Sequence, residues 1–328
     1  MEIGKLTNST LKDSIISKLN IKNKNVLVGP GVGEDCSIID FGEEVCVLTT
    51  DPITAAMNNT GTLGVHISCN DIASAGVAPL GVLVTILAPP SSKLEDIEKV
   101  MEEINLACGE LNIDVLGGHT EVTDAVTRLV LSVTAIGKSK NKKFVTTGGA
   151  TAGDDIIVTG FAGLEGTTIA AKDYKEYLVP RLGEAAIERA QDMLKDISVV
   201  KAGVLASEFG VSAMHDATEG GVLGAIWEVA SASKCGAYIY KDRIPVKEET
   251  IAICEILKIN QLKLISSGCM IITTDRGREL SELLANSGIE NKIVGKITRD
   301  TMILNVDGVE EEIAPPEADE IFRIRVEK

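Results

Sequence analysis

No two of the seven cysteines (36, 46, 69, 108, 235, 254 and 269) form a CxxC pair, and their spacing is irregular. That removes the usual cysteine signatures of a metal site. Most of them sit inside apolar runs, where Cys behaves as a small hydrophobe. The odd count, and the lack of a signal-peptide apolar core in Met1–Asn25, fit a reducing, cytoplasmic setting. No uncharged apolar run reaches the ~18 residues a membrane span needs. Basic residues are also short: 32 Lys and Arg stand against 48 Asp and Glu, a formal charge of −16. A nucleic-acid binder needs clustered cations to neutralise phosphates, so that class is excluded. Nucleotides are not, because carboxylates can hold Mg²⁺ and the metal then carries the phosphates. There is no HExxH, no Ser nucleophile elbow and no Walker Gly-Lys-Ser/Thr loop.

What the chain does have is length and apolar content. At 328 residues and 45% hydrophobic, it is long for one core and two domains are expected. The stretch Thr146–Gly153, rich in Gly and Thr, reads as the linker. It places an N-terminal domain at 1–148 and a C-terminal domain at 149–328. Val45–Thr50 reads as a buried strand, Gly61–Ala75 as a helix and Leu80–Leu87 as another strand. Ser91-Ser92 is expected to cap a helix with apolar positions at Ile97, Val100, Met101, Ile104 and Ala107. Ile113–Leu116 reads as a short strand ending at Gly117-Gly118, and Arg128–Ile136 as a further strand before a basic turn at Gly137–Lys143. In the second half strands are expected at Ile156–Thr159, Cys269–Thr274, Lys292–Ile297 and Met302–Val306. Helices are expected at Glu184–Asp196, Val199–Phe209, Gly220–Ser233 and Lys247–Leu257. This alternation predicts an α/β or α+β layered fold in each half.

Five segments carry acids beside glycines or at a strand end. Gly29-Pro30-Gly31-Val32-Gly33-Glu34-Asp35 leaves backbone amides free to approach an anion, with carboxylates beside them for its metal. Thr49-Thr50-Asp51 ends a strand, where α/β proteins present ligands, although Asp-Pro also simply starts turns. His66-Ile67-Ser68-Cys69-Asn70-Asp71 puts an Asn-Asp pair inside a helix, where both are poor formers. The small residues Ala73, Ser74, Ala75 and Gly76 then imply close packing, with Asp71 aimed at a ligand. His66 and Asn70 share a helix face. Gly117-Gly118-His119-Thr120-Glu121 permits close backbone approach and offers an imidazole and a carboxylate. His215-Asp216-Ala217-Thr218-Glu219-Gly220-Gly221 precedes a helix that Asp216 or Thr218 could cap, or whose N-terminus could face anionic oxygens. All three histidines of the chain fall in these segments.

Taken in order, GVGEDC (31–36), TTD (49–51), HxxxNDIASAGVAP (66–79), GGHTEV (117–122), GDDIIVTGFAGLEG (153–166) and HDATEGG (215–221) resemble the aminoimidazole ribonucleotide synthetase superfamily of ATP-using enzymes. Residues 215–260 and 266–274 most resemble its hydrogenase-maturation branch. That branch uses ATP to activate a carbamoyl oxygen held on a Cys in a C-terminal Pro-Arg-Ile-Cys ending. Here the tail reads Ile321-Phe322-Arg323-Ile324-Arg325-Val326-Glu327-Lys328 and no cysteine follows Cys269, so a related reaction on another substrate is expected. Selenophosphate synthetase would need a reactive N-terminal Cys, which is missing. Thiamine-monophosphate kinase carries Asp where this chain has His119. The resemblance implies a two-domain synthetase-like fold, with an N-terminal mixed sheet that forms a barrel on homodimerisation. It implies an ATP site between the halves, completed by the dimer partner. Asp35, Asp51 and Asp71 would hold Mg²⁺. Gly31, Gly33, Thr50, Gly117, Gly118 and Thr120 would contact nucleotide, and His119, Glu121 and Asp216 would line the reacting end. A maturation-factor partner and a small-molecule or protein-borne substrate also follow from it. The rival readings are a nucleotide-binding accessory or scaffold protein without turnover, and a small-molecule kinase.

Overall fold

The computed structural model describes residues 6–54, 58–316 and 318–326; the first five residues of the stretch read for a signal segment, and the last two of the tail, lie outside them. Two sheets organise the chain. The first contains β1 (Val26–Val28), β2 (Ser37–Asp40), β3 (Glu44–Ile53), β4 (Pro79–Ala88), β5 (Asp114–Val122) and β6 (Val130–Lys140), in the order β1-β2-β3-β6-β4-β5. Every pairing is antiparallel except β4 with β5. The sheet is open, with β1 and β5 as its edges. Val45, Val47 and Thr49 of β3 alternate inward, the pattern of a sheet with one packed face. That face is covered by α2 (Thr60–Ser74), on which α3 (Leu94–Leu111) packs. A single turn, α1 (Asn8–Thr10), lies near the N-terminus.

The second sheet contains β7 (Asp155–Thr159), β8 (Ala213–Asp216), β9 (Gly236–Tyr240), β10 (Met270–Thr274), β11 (Asn291–Thr298), β12 (Met302–Val306) and β13 (Val309–Glu312), in the order β13-β12-β9-β11-β7-β10-β8. Only β12 with β9 is parallel. The helices are α4 (Leu164–Asp173), α5 (Lys175–Leu182), α6 (Glu184–Asp192), α7 (Val200–Phe209), α8 (Gly221–Ala232), α9 (Glu248–Leu257) and α10 (Gly277–Asn286). Ile156, Val158 and Ile271 pack with Val222 and Ile226 of α8, while Ile157, Met270 and Ile272 pack with Ala202 of α7 and Leu280 of α10. Both faces are therefore covered, which is why β7 and β10 read as continuous apolar runs.

The two layers meet at α2. Every residue of that helix except Thr62 is buried, because the first sheet covers one side and α7 and β8 cover the other. The small residues at its end allow this: a Cβ on Gly203 of α7 would fall 2.2 Å from the Ala73 carbonyl oxygen. Asn70 secures the junction. Its amide nitrogen donates to the Ile197 carbonyl at 2.9 Å, and its carbonyl accepts from the Val199 amide at 2.9 Å.

Several boundaries differ from the sequence expectation. The cap of α3 is not Ser91-Ser92: the helix starts after Lys93, whose amide donates to the Asp96 carboxylate at 2.8 Å. β6 runs on to Lys140, and the expected basic turn is confined to Asn141–Lys143. β5 does not stop at its glycines but continues to Val122, with Leu116 bulged out between the Val82–Val115 and Leu83–Gly117 pairs. Gly118 makes this possible. Its φ is 153° and a Cβ would lie 1.8 Å from the Val84 carbonyl oxygen, so only glycine lets the strand lie this close after the bulge.

Candidate active site

A cavity of about 850 Å³ opens between the two layers, within the size range of small-molecule and cofactor sites. Asp35 reaches it from the loop before β2, Asp51 from the end of β3 and Asp71 from α2. Thr49 Oγ1 donates to Asp71 Oδ2 at 2.6 Å, and Ser74 Oγ to Asp35 Oδ2 at 2.9 Å. Asp216, at the end of β8, is fully buried beside them, and one oxygen each of Asp35 and Asp216 lies within 4.8 Å of a His215 nitrogen and of one another. Neither carboxylate oxygen of Asp216 has a hydrogen-bond partner.

Four carboxylates from distant parts of the chain thus share one low-dielectric spot. Burial, then the charges of Asp216, Asp51 and Asp35, push the Asp71 carboxyl well above the ordinary range. Burial and then Asp35 do the same to Asp216, against a pull from His215. Like charges disfavour one another's ionised forms here. A buried carboxylate without a partner is costly, and the cost disappears if a cation occupies the site. Hard oxygen donors converging in this way suit Mg²⁺.

His215 is the counter-charge already in place. Burial alone would lower its pKa, but Asp35 and Glu228 overcome that and hold the imidazole well above its ordinary value. Nδ1 lies 2.7 Å from Asp35 Oδ2 and Nε2 lies 2.9 Å from Glu228 Oε2, so both ring nitrogens donate and the ring carries a proton on each. Glu228, on α8, also accepts from the Asn8 side chain at 3.2 Å. Neither Asp216 nor Thr218 caps α8. The capping position is Gly220, whose amide donates instead to Asp319 Oδ2 at 2.8 Å.

Gly31, Gly33 and Thr50 also border the cavity. Gly117, Gly118, His119, Thr120 and Glu121 do not. They lie on β5, exposed along its whole length at the sheet edge, with His119 Nε2 3.0 Å from Glu121 Oε2. His66 is elsewhere too, its Nε2 3.2 Å from Glu110. Burial pushes the thiols of Cys36, Cys69 and Cys269 up, so these cysteines are packing residues. Sequence reasoning overlooked Glu228, Glu165 and Ser267. Glu165 sits in the first turn of α4, where an acid reads as ordinary helix-dipole chemistry.

The family profile "AIR synthase related protein, N-terminal domain" matches residues 33–139, and its C-terminal counterpart matches 151–306. The chain belongs to the AIR synthase related protein family. A hydrogenase expression/formation protein of Methanocaldococcus jannaschii is 29% identical over 90% of this chain and 89% of its own length. The carbamoyl dehydratase HypE of Rhizobium leguminosarum is 27% identical over 82% and 78%. Among solved structures, one of a HypE–HypF complex superposes with a TM-score of 0.71 at 22% identity, covering 86% of this chain and 93% of the other. A hydrogenase maturation protein HypE in complex with ATP gives 0.68 at 17%, covering 95% of each chain. These two share the fold. Among the described residues, no helix is long and apolar enough to cross a membrane.

Proposed function

We propose that this protein is a Mg²⁺-ATP-dependent enzyme that activates a substrate oxygen by phosphoryl transfer, as a relative of the carbamoyl dehydratases. The convergence of Asp35, Asp51 and Asp71 on one cavity, with Asp216 buried beside them, carries this reading. A bound divalent cation would neutralise the triphosphate and the carboxylates together. The chain's own part is positioning: Thr49 and Ser74 orient Asp71 and Asp35, and His215 holds the same Asp35 oxygen that Ser74 does. Gly31 and Gly33 offer backbone amides, and Thr50 a hydroxyl, for phosphate oxygens. In-line phosphoryl transfer asks for little more than such positioning and charge neutralisation.

The working unit in this proposal is a homodimer. β5 is a long open edge bearing exposed Val115, Leu116 and Val122, with exposed Leu83 on the neighbouring strand. Edges of this kind are covered by pairing in native proteins. Closing two open sheets against each other into a barrel would carry Gly117, Gly118, His119, Thr120 and Glu121 of one copy to the cavity of the other. A maturation-factor protein is the proposed partner, by analogy with the HypE–HypF complex.

The test is ADP release from Mg²⁺-ATP, alone and with carbamoyl-bearing candidate substrates, against Asp71→Ala. Turnover in the wild type that falls at least 100-fold in the variant is expected. Nucleotide binding without turnover on any substrate would instead make the chain an accessory protein. No rise in melting temperature with Mg²⁺-ATP would sink the nucleotide reading altogether, since a ligand of the native state must stabilise it.

A further inference from the structure

One end of the first sheet runs against the charge of the whole chain. Three turns meet there: residues 22–26 ahead of β1, the hairpin joining β2 to β3, and Lys140–Lys143 at the end of β6. The Asp40 amide donates to the Asn25 carbonyl at 2.7 Å and the Asn141 amide to the Glu43 carbonyl at 3.0 Å, which ties the three side by side. They gather Lys22, Lys24, Lys138, Lys140, Lys142 and Lys143, all exposed. Lys138 pairs with Glu44 at 3.4 Å and Lys142 with Asp40 at 2.6 Å. Among the described residues, the other four lysines have no ion-pair partner. With Glu43 counted, the rim is net positive on a chain whose formal charge is −16.

Phe41 stands at the tip of the middle turn. It is 70% exposed, and none of the other four phenylalanines is exposed. The turn does not need it: Gly42 reverses the chain at a φ of 90° and its amide donates to Asp40 Oδ1 at 2.8 Å. Lysines beside an edge strand commonly keep it from pairing with other chains, which accounts for Lys22 and Lys24 next to β1. That role does not extend to Lys140 and Lys143, because β6 lies inside the sheet between β3 and β4, nor to Phe41. An exposed aromatic among cations is the composition of a docking surface. The ring supplies a desolvated anchor, and the charges steer the encounter.

We propose that this rim docks an acidic segment of a partner protein, with an apolar group of the partner against Phe41 and its carboxylates opposite Lys24, Lys140 and Lys143. Charge complementarity selects the partner. All the cations are lysines, so the planar fork that grips phosphate in two places is missing, and Asp40, Glu43 and Glu44 among them would repel a continuous polyanion. A bilayer or duplex would also reach well beyond the ~8 Å over which charge acts at physiological salt, and so meet the acidic remainder of the surface. A short segment needs only the rim. Neither these lysines nor Phe41 line the cavity, so docking is independent of nucleotide binding.

The experiment selects peptides from a random-peptide display library on the full chain, then titrates the most enriched synthetic peptide by fluorescence anisotropy. Enriched peptides should carry an excess of Asp and Glu around at least one aromatic or aliphatic residue. The double variant Lys140→Glu/Lys143→Glu should bind at least about tenfold more weakly, and Phe41→Ser at least about fivefold. Raising the salt from about 50 to about 200 mM should weaken wild-type binding at least about threefold. Melting temperature and Mg²⁺-ATP binding should not move in either variant, since the changed side chains are exposed. Lys24→Glu, on a separate turn, repeats the test if either loses stability. The proposal is overturned by no enrichment, by enriched peptides without acidic excess, or by variants that bind as wild type does. It is equally overturned if phosphatidylglycerol vesicles or a DNA duplex bind as tightly as the peptide and lose that binding in the same variants.

Discussion

The segments around His119 and His215 look alike in the sequence, each an imidazole among acids and glycines, yet the fold treats them in opposite ways. His215 sits on β8, whose four residues are all buried, and its ring is held between Asp35 and Glu228. His119 sits on β5, whose nine residues are all exposed, and it meets Glu121 of its own strand. The difference lies in what each strand has on either side. β8 borders the second sheet but is roofed by α2 and α8, whereas β5 is an edge of the first sheet and, among the described residues, pairs with no strand on its outer side. The imidazole at His215 thus has its partners within one chain, whereas in the proposed dimer His119 would find its own in the other copy.

That contrast predicts two losses of activity with different genetics. Asp216→Asn, next to His215, should reduce turnover at least 100-fold while raising stability by about 1–2 kcal/mol at pH 8, because it removes a like charge from a buried cluster. His119→Ala should leave stability within about 0.5 kcal/mol, as expected for an exposed pair, and still reduce turnover about tenfold or more. Mixed dimers of Asp216→Asn and His119→Ala protomers should recover activity, since one of the two sites then holds both intact motifs. Recovery is measured by co-expressing the two with different tags. Failure to recover would mean that β5 acts within its own chain or not at all.

The sequence carried the acid cluster well because each member came with a local oddity: a polar pair inside a helix at Asn70-Asp71, a strand ending at Asp51, a glycine loop at Asp35. Those oddities also located α2 as the tightly packed wedge through Ala73 to Gly76. Three things were out of reach. Asn70 beside Asp71 suggested a shared role, but it is a tie between the layers, and only the position of Ile197 and Val199 reveals that. Asp216 read locally as a possible helix cap and, from the resemblance, as a group at the reacting end, whereas its membership of the aspartate cluster depends on β8 packing against α2. Glu165 was hidden because a glutamate in the first turn of a helix needs no explanation until its burial is known.

At β5 the comparison can be sharpened by testing the strand's attachment. Gly118→Ala puts a methyl 1.8 Å from the Val84 carbonyl oxygen, at a φ that L-residues rarely adopt. Strand pairing there should loosen at a cost of about 2–3 kcal/mol. The change should be read by denaturant unfolding, together with a shift from dimer to monomer in sedimentation. The neighbouring Gly117→Ala, whose nearest contact is Leu83 at 3.5 Å, should suffer backbone strain alone and cost less. Equal losses at the two positions would mean that β5 does not need its close approach to β4.

The last comparison is of pH dependence, whose sign marks a buried acid. Burial raises the Glu165 carboxyl from 4.5 to about 8, so the native state keeps a proton that the unfolded chain releases. Its contribution to stability is therefore full below about pH 4.5, declines as pH rises and is lost by about pH 8, with a limiting slope of about 1.4 kcal/mol per pH unit. Glu165→Gln has no such proton to lose. Its stability relative to wild type should rise steadily from pH 5 to pH 8 and level off above, while the slopes due to Asp71 and Asp216 cancel in the difference. A flat line for Glu165→Gln would mean that its carboxyl meets water or a cation in solution.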